Sequence, residues 1–92
     1  MNELENLRER IDKIDKELIA LFEERMNVVN DIAKYKIKNN LPILNQNRED
    51  IVVSKVKSTV KNKDYTDSAA DLIKDIMEIS KKFQQKIISK QQ

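Results

Sequence analysis

Apolar side chains recur at alternating spacings of three and four residues along the first third of the chain. This heptad pattern is typical of a long α-helix with an apolar seam along one face. Opposite charges four residues apart, such as Glu9 with Lys13, lie on the other face and support the helix. We predict a helix over about residues 3–38. Besides Arg25, its seam contains Leu4, Leu7, Ile11, Ile14, Leu18, Leu21, Val28, Ile32 and Tyr35.

The segment 39–42 ends this helix, because the residue before Pro42 is excluded from the helical region. A second helix is predicted to follow, with Asn45 or Asn47 as its N-cap. Its apolar residues are mostly β-branched and suit a strand almost as well: Ile51, Val52, Val53, Val56 and Val60.

The polar segment 61–65 is predicted to be a loop, and Thr66 or Asp67 to cap a third helix. The predicted fold is all-α: a three-helix protomer with one very long N-terminal helix, in a single domain over residues 1–92. Ser80 and Gln84 interrupt the apolar stripe of the third helix, which contains Ala69, Leu72, Ile73, Ile76, Met77, Phe83 and Ile87.

The first helix is too long for a compact chain of 92 residues. Its length would be about 54 Å, whereas a compact globule of this size is only ~32 Å across. Apart from Arg25, the seam is apolar from Leu4 to Tyr35, so its protruding part needs a partner. The simplest partner is a second copy related by a two-fold axis, which predicts an intertwined homodimeric helical bundle.

Composition excludes several kinds of chemistry. The chain has no Cys and no His, so it has no thiolate, no imidazole base and no ordinary zinc site. It has neither an apolar run long enough for a membrane span nor a secretory signal, which predicts a cytoplasmic location and no membrane partner. The net charge of +2 is too small to predict nucleic-acid binding.

Several polar residues lie where apolar ones are expected. Arg25 occupies a seam position, and Arg8 and Lys36 lie one residue beyond the seam. Taken singly, Arg25 could set the register of a coiled coil, and the other two could extend their charges into water. Taken together, several cations in one interior must bind anions or remain unpaired.

The choice of arginine supports anion binding. The chain has fourteen Lys and four Arg, yet three of the arginines are Arg8, Arg25 and Arg48. Unlike lysine, arginine grips a carboxylate with two parallel hydrogen bonds, which favours a dicarboxylate ligand. Arg48 and Glu49 open the second helix, although such a pair could also be an ordinary surface pair.

These residues, in this order, resemble the active-site pattern of the AroQ-type chorismate mutases. The similarity covers nearly the whole chain through LRERIDKIDKELIALFEER, Lys36, LPILNQNRE, and the pair Ser80 and Gln84. It implies a homodimeric enzyme that converts chorismate to prephenate, toward phenylalanine and tyrosine. Because this is an intramolecular Claisen rearrangement, the resemblance implies no cofactor and no metal.

The resemblance also implies a role for each site residue. Arg25 and Arg48, with Arg8 from the other chain, would hold the two substrate carboxylates. Lys36 would contact a carboxylate and the ether oxygen, and Gln84 would contact the same ether oxygen from the other side. The predicted catalytic residues are these two and Arg25. Glu49 and the backbone near Asn45 would take the ring hydroxyl, and Ser80 would support the carboxylate end. The chain departs from the family at Asn45, where Asp is common. This difference bears on the part of the site that would bind the ring hydroxyl.

Two other functions fit parts of the sequence. A non-enzymatic dimeric helical module could bind an acidic partner through Lys81, Lys82 and Lys86. It predicts that Lys36 and Gln84 are dispensable. An isochorismate-pyruvate lyase with the same architecture is the other alternative.

Overall fold

The structure, a computed structural model, describes residues 2–91. It consists of three α-helices: α1 over Glu3–Lys38, α2 over Gln46–Thr59, and α3 over Thr66–Gln91. A short 3-10 helix, Lys63–Tyr65, precedes α3. No strand occurs within residues 2–91, so the predicted all-α class is confirmed. No helix in the same range is both long and apolar enough to cross a membrane.

Asparagine caps the first two helices. The Asn2 side chain accepts a hydrogen bond from the Glu5 N–H at 2.8 Å, and the Asn45 side chain accepts one from the Arg48 N–H at 3.1 Å. Both caps have extended backbone angles, as an N-cap requires. Of the two candidates for α2, Asn45 is the cap, and the β-branched residues that follow form a helix.

The connection from α1 to α2 turns at Asn40, which has a φ of 54°. This left-handed conformation favours glycine, but the chain contains no glycine. Asparagine is among the few other residues that adopt it readily. The Leu41 N–H then donates to the Lys36 carbonyl at 2.9 Å. The reversal brings the following segment back against the end of α1.

The predicted caps of the third helix are wrong. Asn62 caps the 3-10 helix instead, accepting from the Asp64 N–H at 3.0 Å. Thr66 has helical backbone angles, and its N–H donates to the Lys63 carbonyl. A carbonyl of the 3-10 helix therefore accepts the hydrogen bond from the first N–H of α3, as an N-cap side chain does elsewhere. The α3 helix continues directly from the 3-10 helix.

The α3 helix packs against both other helices. The buried residues of this core include Val29 and Ala33 from α1, and Ala70 and Met77 from α3. The predicted stripe on α3 needs two corrections. Leu72 is 57% exposed, and Ser80 and Gln84 are buried, so these polar residues continue the packed face rather than interrupt it.

Apart from Arg25, the predicted seam of α1 is exposed over its whole length within one chain. Two other α1 residues, Val29 and Ala33, are buried against α3. Each directly follows a seam residue, and successive residues are about 100° apart around a helix axis. The buried face of α1 therefore lies beside the seam. The molecule measures 55 × 27 × 14 Å, with a radius of gyration of 16.7 Å. The seam residues, 42–62% exposed, are Leu4, Leu7, Ile11, Ile14, Leu18, Leu21, Val28, Ile32 and Tyr35.

An exposed apolar seam of this length predicts self-association. At micromolar concentration we expect light scattering to give the mass of a dimer. Leu18→Gln should weaken the dimer about ten- to hundredfold, because the exposed half of each leucine contributes about 1 kcal/mol and appears twice in a symmetric pair. Glu17→Gln, at the adjacent exposed position, is the control. A monomer mass for the unaltered chain would contradict the prediction.

Candidate active site

A cavity of about 240 Å³ lies among α1, α2, α3 and the segment that joins α1 to α2. Its apolar lining includes Val29, Ile32, Ile43, Val52 and Met77. Seven of the eight predicted site residues also line it: Arg25, Lys36, Asn45, Arg48, Glu49, Ser80 and Gln84. The three helices and the connection from α1 to α2 therefore meet at one place.

Ser80 fixes the position of Arg25. The Arg25 Nη1 atom donates to the Ser80 hydroxyl at 2.7 Å, and that hydroxyl donates to the Ile76 carbonyl one turn earlier at 2.8 Å. This arrangement orients the guanidinium at the cavity wall with one of its five N–H donors. The remaining donors have the geometry needed to grip a carboxylate.

Lys36 closes the end of the cavity near the α1 to α2 connection. Its ammonium donates to the Ile43 carbonyl at 2.7 Å, which ties the connection to α1. Burial lowers the pKa of Lys36, because the charged form loses hydration, and the Glu49 carboxylate partly opposes this shift.

The first turn of α2 forms the opposite wall. The Asn45 cap holds the Arg48 N–H through its side chain, and its carbonyl accepts from the Glu49 N–H at 3.1 Å. Arg48 and Glu49 therefore project from a helix start whose position is set by hydrogen bonds. Because Asn and Asp cap helices about equally well, the asparagine preserves this geometry.

Gln84 brings an uncommitted polar atom to the cavity. The side chain is 6% exposed, and its Oε1 atom is buried without a hydrogen-bond partner among the described residues. Unpaired buried acceptors destabilise a protein unless a ligand or water meets them. A half-turn of the amide exchanges its acceptor for its donor, so Gln84 can offer a ligand either one.

Lys81 was not among the predicted site residues, yet it lines the cavity. Its ammonium lies 3.0 Å from Glu49 Oε2 and 2.6 Å from Glu78 Oε1. The hydrogen bonds that this ammonium donates to Glu78 and, as the smaller cause, to Glu49 raise the pKa of Lys81. Its place between Ser80 and Gln84 on α3 was the available signal. Lys82 and Lys86, grouped with it on a basic surface, are exposed.

The cavity is electropositive. Its lining carries four cations, Arg25, Lys36, Arg48 and Lys81, and one carboxylate, Glu49. Low-dielectric walls strengthen the field of such a cluster, so the cavity attracts anions. Within residues 2–91, no group of three or more carboxylates is placed to hold a metal ion.

Arg8 is the predicted residue that one chain does not bring to the cavity. It lies seventeen residues before Arg25 on the same helix, about 25 Å along the axis. A small ligand cannot span that distance. Any contact between Arg8 and a ligand in such a cavity therefore requires a second chain.

The sequence model of the family described as chorismate mutase type II matches residues 7–85, a range that contains every predicted site residue. The chain belongs to this family. The resemblance to the AroQ-type enzymes is thereby confirmed.

Relatives of this chorismate mutase type II chain are longer proteins. The T-protein of Haemophilus influenzae is 34% identical over 77 residues, covering 84% of this chain and 20% of the relative. The bifunctional chorismate mutase/prephenate dehydratase of Buchnera aphidicola is 37% identical over 90 residues, covering 97% of this chain and 23% of the relative. The chain thus spans about a fifth of the length of these relatives. No solved structure is significantly similar to it.

The electrostatic link between Glu49 and Lys36 gives a prediction. Glu49→Gln should lower the pKa of Lys36 further, because it removes the negative charge that opposes the effect of burial. An NMR titration of the lysine side chains measures the change. Asp50→Asn, which removes a carboxylate from the next, exposed position, should leave the Lys36 titration in place. An unchanged or raised Lys36 pKa in Glu49→Gln would contradict the link.

Proposed function

We propose that this chain is a chorismate mutase, which converts chorismate to prephenate by an intramolecular Claisen rearrangement. The observation that carries the proposal is the electropositive cavity, lined by seven of the eight predicted residues in a member of this family. Chorismate carries two carboxylates, and its rearrangement requires no external nucleophile or base. A site built from Arg, Lys and Gln without His or Cys suits that reaction.

In this proposal the arginines hold the substrate folded. Arg25 and Arg48 bind the two carboxylates, with the enolpyruvyl arm over the ring. Both arginines stand on helices: Ser80 holds the Arg25 guanidinium, and the Asn45 cap fixes the backbone from which the Arg48 side chain projects. Orientation of this kind removes much of the entropic part of the barrier before the reaction starts.

Lys36 and Gln84 act on the bond that breaks. The ether C–O bond breaks while a new C–C bond forms, and negative charge grows on the ether oxygen. The Lys36 ammonium and the Gln84 amide donate hydrogen bonds to this oxygen. Because the charge is largest in the transition state, these contacts stabilise it more than the substrate. Even the low end of enzymic acceleration corresponds to about 8 kcal/mol.

Glu49 takes the ring hydroxyl, together with the backbone near Asn45. The side-chain oxygen of Asn45 already accepts from the Arg48 N–H. The proposed hydroxyl contact therefore depends on the Glu49 carboxylate rather than on the Asn45 side chain.

We also propose that the active form is a homodimer to which Arg8 contributes in trans. The exposed seam of α1 supports the dimer, and the roughly 25 Å between Arg8 and Arg25 supports the contribution from a second chain. A cytoplasmic location remains a prediction from the sequence.

The direct test is to follow the loss of chorismate absorbance with the purified chain and to identify prephenate as the product. Isochorismate is assayed in parallel, with pyruvate as the product sought. Conversion of chorismate to prephenate supports the proposal. Pyruvate release from isochorismate alone would assign a lyase, and activity on neither substrate would favour the non-enzymatic helical module.

The role of Gln84 predicts a change in pH dependence. Gln84→Glu should confine activity to low pH, because a protonated carboxyl can donate to the ether oxygen whereas an ionised carboxylate repels its growing charge. Gln85→Glu introduces the same group at the adjacent exposed position and should keep the original pH profile. Full activity of Gln84→Glu at pH 8 would exclude the proposed contact.

The shared site predicts complementation between two inactive variants. Arg8→Ala and Lys36→Ala homodimers should each be nearly inactive, because both of their sites carry one lesion. In a mixed dimer, the site built on the Arg8→Ala chain keeps its own Lys36 and receives an intact Arg8 from the other chain. The second site contains both substitutions. Random reassembly of equal amounts makes about half of the dimers mixed, so roughly a quarter of the original activity should return.

The experiment needs a control variant and a check that mixed dimers form. Arg10→Ala, another exposed arginine of α1, should keep its activity without complementation. Failure to regain activity, although mixed dimers are shown to form, would mean that Arg8 does not act in trans.

A further inference from the structure

Lys81 links the two helices that form the hydroxyl end of the proposed site. From α3 it reaches Glu49 on α2 at 3.0 Å and Glu78 on its own helix at 2.6 Å. It stands one residue after Ser80 and three before Gln84, so the same two turns of helix carry all three.

The contact between Lys81 and Glu49 differs from an ordinary surface pair. The two side chains are 23% and 20% exposed, whereas Glu78 is 60% exposed. Exposed ion pairs contribute little, because water competes for both charges. Here both side chains line the cavity and are less than a quarter exposed, so water competes less for their charges.

Glu49 is the single carboxylate in the lining of this cavity, which also contains Arg25, Arg48 and Lys36. If it were free, it would be attracted to these cations and would occupy donors that a dicarboxylate needs. The contact with Lys81 holds Glu49 through Oε2. The other oxygen, Oε1, can then accept a hydrogen bond from a ligand hydroxyl.

Glu78 completes the arrangement from the solvent side. It lies one turn before Lys81 on α3 and binds the same ammonium. With one carboxylate on each side, the lysine side chain is held across the gap between α3 and α2. The same two contacts raise the pKa of Lys81, because both carboxylates favour its charged form.

We propose that Lys81 is a positioning residue that holds the Glu49 carboxylate at the hydroxyl end of the cavity. This inference rests on the proposed function, since it assigns a role to Lys81 in binding the ring hydroxyl. Lys81 acts through Glu49 and does not itself contact the reacting atoms.

The test compares kcat and KM for chorismate in Lys81→Met, which keeps the length of the side chain and removes its charge. We expect kcat/KM to fall about tenfold, mostly through KM, because a charge-assisted hydrogen bond that orients Glu49 is lost. Lys81→Arg should recover most of the loss, since a guanidinium can bind both carboxylates. Lys86→Met, an exposed lysine on the same helix, should match the unaltered chain.

A double variant separates positioning from a structural role. In Glu49→Gln, the further change Lys81→Met should have little effect on kcat/KM, because the group that Lys81 positions is already gone. Thermal unfolding of each variant checks that the fold is retained. An equal loss in both backgrounds would mean that Lys81 acts on something other than Glu49, and would overturn the proposal.

Two failures can be told apart in this experiment. If the unaltered chain does not convert chorismate, the proposed function fails, and the role of Lys81 fails with it. If it does convert chorismate and Lys81→Met has unchanged kinetics, only the role of Lys81 is rejected.

Discussion

The α1 helix carries two apolar faces, and its own chain covers one of them. Val29 and Ala33 pack against α3, whereas the heptad seam beside them stays exposed from Leu4 to Tyr35. The core of one chain is correspondingly small, and its buried face includes the polar residues Ser80 and Gln84. In the proposed homodimer, a second copy would cover the apolar seam that one chain leaves open, and the polar cavity of this short chain would then lie within a larger interior.

The cavity depends on this division of faces. Arg25 stands between the two faces of α1, close enough to α3 for Ser80 to fix its guanidinium. Across the cavity, the Asn45 cap sets the first turn of α2. Arg25 is held by the Ser80 hydroxyl and Lys36 by the Ile43 carbonyl, which are both neutral groups. Among the described residues, Lys81 is the one of the four cavity cations that forms an ion pair. Most of the positive charge is thus positioned without being neutralised, and it remains available to an anionic ligand.

Much of this arrangement could be predicted from the sequence, because it follows from local rules. Heptad spacing gave the bounds of α1, and helical spacing placed Ser80 and Gln84 on one face. The errors occur where tertiary contacts decide. The start of α3 depends on a preceding 3-10 helix, and the exposure of Leu72 depends on which face of α3 meets its neighbours. Lys81 was missed for the same reason: a lysine within a basic run looks solvated until Glu49 of another helix is placed opposite it.

The neutral cap of α2 has an electrostatic consequence. The N-terminus of an α-helix carries about half a positive charge, and an aspartate at the cap would largely cancel it. Asn45 makes the same hydrogen bond to the backbone without adding negative charge. Because Asn45, Arg48 and Glu49 all line the cavity, the N-terminus of α2 lies at its wall, where Glu49 is the acidic group of the first turn and is paired with Lys81. The helix backbone itself therefore adds to the field that an anion meets there, in a way that no count of charged side chains reveals.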